Sequence, residues 1–107
     1  MTADADGSPD PDRFLLRLFI AGTSSRSQRT ITNLRGICAA HLANRFDLEI
    51  VDIYQHPALA EADQIVAAPT LLKLQPLPVR RIIGDLSDTG RVLHGLGLPH
   101  AASERSR

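Results

Sequence analysis

Few residues in this chain have the chemistry of a nucleophile, a metal ligand or an acid–base pair. Cys38 is the one thiol. A disulfide-exchange enzyme needs a thiolate at a helix N-terminus, where free amides and the helix dipole lower the thiol pKa. The start of the first expected helix, Ser24-Ser25-Arg26-Ser27, offers hydroxyls instead, and serine cannot cycle through a disulfide. Cys38 falls about three turns further on, within an apolar stripe, and reads as a small buried hydrophobe. His41, His56, His94 and His100 are scattered and form no i, i+3 or i, i+4 pair with one another, as a helical metal site would require. Asp52 on the second strand reads either as a lone buried carboxylate or, the commoner outcome, as a turn-facing structural residue. Asp85 and Ser87 are turn and cap residues before they are a dyad. Gly84, Gly90, Gly95 and Gly97 fit neither phosphate-loop nor dinucleotide spacing. No catalytic, cofactor-binding or metal-ligating residue is assigned, and no enzyme is expected.

What remains is surface. Arg26 and Arg29 lie near the start of the first helix, and Lys73, Arg80 and Arg81 are expected to project from a hairpin. Two readings stay open. These are solvated faces, or they form a basic patch that meets acidic residues of a partner, where charge sets orientation and association rate more than affinity.

The elements that position these residues follow from composition and period. A chain of 107 residues makes one small domain. Apolar content is 43%, with three Phe, one Tyr and no Trp, so Leu, Ile, Val and Ala must build the core. Twelve basic residues balance twelve acidic ones, which argues against a nucleic-acid binder held by phosphate neutralisation. A single cysteine excludes an intrachain disulfide and fits a reducing compartment. No apolar run approaches the roughly 20 residues of a membrane span, so a cytoplasmic protein is expected. Residues 1–12, with four Asp and two Pro, read as a disordered acidic tail, residues 13–98 as the domain, and residues 99–107 as a loose polar tail.

Phe14 to Ile20 is apolar on both faces, the mark of a central strand covered twice. Ile31, Leu34, Cys38 and Leu42 recur at helical spacing in a helix expected to end near Asn44. Phe46 to Tyr54 gives a second strand, and Pro57 to Val66 a second helix with Leu59, Ala62, Ile65 and Val66 as its apolar stripe. Pro69, Pro76 and Pro78 bracket two further strands and confine them to edges, starts or bends. Gln75-Pro76-Leu77-Pro78 is the bend. Ser87 is expected to cap a last helix with Val92, Leu93 and Leu96 inward. The order βαβαββα is that of the thioredoxin-like α/β fold, which places a cis proline where Pro69 stands.

The stretch APTLLKLQPLPVRRIIGDLS, Ala68 to Ser87, resembles the signature of the KaiB family, and so do LRLFIAG from Leu16 and LEIVDIYQHPALAEADQIVA from Leu48. The resemblance covers roughly residues 14 to 98. It implies a thioredoxin-like domain without catalysis whose C-terminal half switches between two folds. The resting state self-associates into a tetramer or dimer, and the active monomer docks on the N-terminal ring of the ATPase KaiC. Carried over by position, partner contacts fall to Arg29, Ala60, Asp63, Gln64, Lys73, Arg80 and Arg81. The switch falls to Ala68, Pro69, Thr70, Pro76, Pro78, Gly84, Asp85, Gly95 and Gly97. The glycines add a physical argument: each costs about 1 kcal/mol in a helix, so Gly90, Gly95 and Gly97 together would cost on the order of 3 kcal/mol against a total stability of about 5–15 kcal/mol.

The chain departs from the family at several places. Leu77 interrupts a triple proline. Gly97 replaces an Asp in a run that reads His94-Gly95-Leu96-Gly97-Leu98. Gln64 and Glu49 replace basic residues, and the second change puts contact with the clock's other partner, KaiA, in doubt. A second reading is a thioredoxin-like adaptor or sensor module, as in KaiC-linked histidine kinases, that binds the same ring without switching. A third, a redox enzyme, requires the thiol chemistry that the helix start lacks.

Overall fold

The computed structural model describes residues 13–43 and 45–98. Both terminal segments expected to be tails, and Asn44, lie outside the described residues. Seven elements follow in the expected order: β1 (Phe14–Ile20), α1 (Ser25–His41), β2 (Phe46–Asp52), α2 (Pro57–Ala62), β3 (Thr70–Gln75), β4 (Arg80–Ile83) and α3 (Thr89–Leu96). They form one four-stranded sheet in the order β2-β1-β3-β4. β1 runs parallel to β2 and antiparallel to β3, and β3 is antiparallel to β4.

Strand alternation divides the core in two. Phe14, Leu16, Leu18 and Ile20 of β1, with Leu71 and Ile82, meet Leu34, Ile37, Cys38 and Leu42 of the α1 region and Val92, Leu93 and Leu96 of α3. On the other face Phe19, Leu72 and Val51 meet Ala60 of α2. Helices on both faces are why β1 carries almost no polar residue.

The three prolines sit where no ladder donor is needed. β3 is a central strand, with Pro69 just before it and Pro76 just after, while Pro78 precedes the edge strand β4. The Ala68–Pro69, Gln75–Pro76 and Leu77–Pro78 bonds are all cis.

Several boundaries differ from expectation, each for a local reason. β2 stops at Asp52 rather than Tyr54, because the Asp52 carboxylate accepts from the amides of Gly22 (3.1 Å) and Tyr54 (2.9 Å) and turns the chain. α1 ends at His41, short of position 44, with Leu42 as its C-cap. α2 stops at Ala62 rather than Val66. Asp63 caps it, Gln64 takes a left-handed backbone at φ 56°, and Ile65 N–H closes on the Ala60 carbonyl. The expected stripe on α2 therefore does not form: Ala60 is its buried residue, Leu59 and Ala62 are exposed, and Val66 is 88% exposed. The cap of α3 is Asp88, not Ser87. The Asp88 carboxylate accepts from Arg91 N–H at 3.1 Å, while Ser87 N–H donates to Asp85 at 3.1 Å.

The glycine argument also changes. Gly97 is the C-cap of α3 at φ 79°, a position that favours glycine, and Gly90 lies in the first turn. Only Gly95 stands in the helix interior. There a Cβ would come within 2.6 Å of Ile82 Cδ1, so helix and strand approach closely. The helical penalty falls to about 1 kcal/mol. Two substitutions check this local reading. Gly36 lies in α1 with open space around it, so Gly36→Ala should raise stability by about 0.5–1 kcal/mol. Gly97→Ala should lower it by about 1 kcal/mol. Urea unfolding followed by circular dichroism reads both.

Candidate docking surface

Among the described residues the start of α1 carries hydroxyls and no thiol. Ser24 caps α1, its hydroxyl accepting from Ser27 N–H at 3.2 Å. Cys38 is fully buried, and burial pushes its thiol up to about 11. Among the described residues no three of His, Cys, Asp or Glu could hold a metal ion, and no helix is long and apolar enough to cross a membrane.

The surface residues are divided by the same alternation that divides the core. Arg80 and Arg81 are neighbours on β4 and point to opposite faces. Arg81 reaches the α2 side, where its guanidinium donates to the carbonyls of Gln64 (2.9 Å) and Asp63 (3.0 Å). The Asp63 carboxylate in turn accepts from Arg17 at 2.9 Å, and Arg17 donates from Nε to Glu49 at 2.8 Å. Two arginines from two strands thus clamp the turn after α2. The Glu49 hydrogen bond, then that of Asp63, hold Arg17 more firmly protonated than usual. Exposed Leu59, Val66 and Ile83 lie on α2, the following loop and β4. Asp63, Gln64 and Arg81 are therefore brought together.

The other expected contact residues are not. Ala60 is buried against the second core and positions α2 rather than offering a surface. Lys73 does not project from the hairpin: it is 3% exposed, on the α3 face of β3 opposite Arg80. Burial, then the charge of Arg80, push its ammonium pKa down. Arg29 and Arg26 stand apart, on the first turns of α1. Together they act on Asp85, whose carboxyl is held below its usual range first by hydrogen bonds from Ser87 and then by these two charges.

Of the residues assigned to the switch, Ala68 and Pro69 lead into β3 and Thr70 begins it, buried, its hydroxyl donating to the Ala67 carbonyl at 2.5 Å. Gly84 N–H donates back to the Pro69 carbonyl at 3.0 Å, closing the open end of the hairpin. The Asp85 carbonyl accepts from Asn33 of α1 at 3.0 Å. Sequence reading missed Arg17. Its signal was available, as the one charged residue in an otherwise apolar central strand.

A family model described as the KaiB domain matches residues 17–98, most of the chain. The chain belongs to the KaiB family. Circadian clock protein KaiB3 of Synechocystis is 45% identical over 89 residues, covering 83% of this chain and 87% of that one. The circadian clock oscillator protein KaiB of Synechococcus elongatus is 46% identical over 85 residues, covering 79% and 83%. Among solved structures, the N-terminal domain of Synechococcus elongatus SasA superposes with a TM-score of 0.67 at 28% identity, covering 84% of this chain and 90% of that one. The thioredoxin Deadhead of Drosophila matches at 0.64 and 14% identity, covering 80% of each chain, a likeness of fold alone. The KaiB-family domain thus has the thioredoxin-like fold here.

The buried thiol gives a direct check. A group whose pKa is raised from 9.0 to about 11 in the folded state contributes fully below pH 9 and loses that contribution as pH climbs through this window. At pH 8 the native chain should react with a disulfide reagent at least about 100-fold more slowly than the urea-unfolded chain, read by absorbance of the released thiolate.

Proposed function

We propose that this KaiB-family chain is a non-enzymatic, cytoplasmic circadian-clock regulator that docks on the N-terminal ring of a KaiC-like ATPase. The observation that carries this reading is the clamped turn after α2. Arg81 holds the carbonyls of the turn and Arg17 the Asp63 carboxylate, while Leu59 on α2, Val66 in the following loop and Ile83 on β4 are exposed. A rigid turn among elements that expose apolar groups suits protein recognition, because little entropy is lost in ordering it. The names of the relatives support a clock role.

In this reading the thioredoxin-like arrangement is the docking-competent state. The resting chain rearranges its C-terminal half and self-associates as a tetramer or dimer. Bistability rests on the short α3, of eight residues with a glycine in its interior, and on the four-residue edge strand β4. When the competent state is a minor one, apparent affinity falls by its population. No KaiA contact is proposed, since Glu49 is engaged with Arg17.

A second reading, an adaptor that docks without switching fold, is favoured by the likeness to the SasA domain. Mass measured against concentration, with two-dimensional NMR of the same sample, separates the two: one monomeric species throughout supports the adaptor. Docking itself is tested by gel filtration with the cognate ATPase in each nucleotide state. Arg81→Ala should weaken the complex about tenfold, while Arg35→Ala on the exposed side of α1 leaves it unchanged. Absence of a complex in every nucleotide state, at tens of micromolar protein, would rule the docking reading out.

A further inference from the structure

Lys73 and Arg80 stand directly opposite each other on neighbouring antiparallel strands, on the same face. Like charges in that position repel. Lys73 is also 3% exposed, and among the described residues its ammonium makes no hydrogen bond and meets no carboxylate. It ends beside the C-cap of α3, where a side chain at Gly97 would lie 4.0 Å from its Nζ. The carbonyls there supply only about half a negative charge. A buried cation in this position is costly unless a full counter-charge reaches it.

The groove beside the pair is cationic. Between α3 and the edge strand β4 lies an open cleft of about 220 Å³, lined by Arg80, Arg81, Ile82, Arg91, His94 and Gly95, with no carboxylate in its wall. Arg80 belongs to both: it lines the cleft and faces Lys73. His94 brings a further donor from α3, whereas the Arg91 guanidinium reaches the far end of β4, its Nη1 3.8 Å from where a side chain on Gly84 would begin.

We propose that Lys73 and Arg80, with His94, form an oxyanion site that is filled by phosphate or carboxylate oxygens and stabilises the packing of α3 on β4. The Arg80 guanidinium offers planar, paired donors that match such oxygens, and the Lys73 ammonium, on the residue opposite it in β3, adds charge. The anion binds this arrangement and not the unfolded chain, so it raises the folding equilibrium constant by the factor 1 + [L]/Kd. The link to docking rests on the function proposed above: a filled site would increase the docking-competent population. The site itself is independent of any partner.

The experiment uses the full chain, unfolded by urea and followed by circular dichroism at pH 7. Sodium phosphate and sodium acetate are each compared with chloride at matched ionic strength. Phosphate should stabilise the wild type saturably, by about 11-fold in the folding constant at ten times its dissociation constant. A larger response to acetate assigns the site to carboxylates, and a larger response to phosphate assigns it to phosphate groups. Lys73→Met should be at least about fivefold more stable than wild type in chloride, because it removes an unmatched buried charge, and should respond weakly to either anion. Arg80→Gln, at an exposed position, should fold normally and lose most of the response. Equal responses in wild type and both variants, meaning an adventitious ion only, would overturn the proposal. So would a Lys73→Met chain less stable than wild type in chloride. A normal anion response without any complex with the ATPase would sink the docking reading alone.

Discussion

The structure depends on covering β1 from both sides. A strand whose two faces are apolar has no stable exposed state, so helices must close over each face. α1 and α3 take one face and the shorter α2 takes the other. The unequal cover has a consequence for the surface. On the α2 side the sheet is only partly shielded, and there β1 carries its one charge, Arg17. That side chain spans from β2 to the end of α2, so ion pairing completes what apolar packing leaves open.

The elements most legible in the sequence were those with a repeated pattern. β1 was readable from two apolar faces, α1 from the spacing of Leu34, Cys38 and Leu42, and the hairpin from prolines that cannot donate to a ladder. The boundaries were less legible because they turn on single side chains. Asp52 ends β2 by accepting two amides, and Asp88 outcompetes Ser87 as a cap because the Asp85 carboxylate holds the serine amide. α2 looked longer than it is, since Ile65 and Val66 continue an apolar period after Gln64 has already left helical geometry.

The surface was read less well than the fold, and the reason is the period-2 alternation of strands. Lys73, Arg80 and Arg81 appear as one basic cluster in sequence, yet the pleat sends Arg81 to the α2 face and turns Lys73 and Arg80 toward α3. A charge expected at the surface is thereby covered, and Arg81 becomes part of the internal support of a turn. Ala60 shows the converse: its place on the helix makes it an anchor. The argument from three helical glycines weakens for a similar reason, because position within the element decides whether a glycine costs or helps.

Tyr54 follows β2 at the head of α2 and is 73% exposed, with its ring 3.5 Å from where a side chain on Gly22 would begin. The chain has no Trp and no other Tyr. Its ultraviolet emission therefore originates from one phenol at a known address, undiluted by energy transfer to an indole. The molecule carries its own optical reporter of whatever approaches that corner, with no label attached.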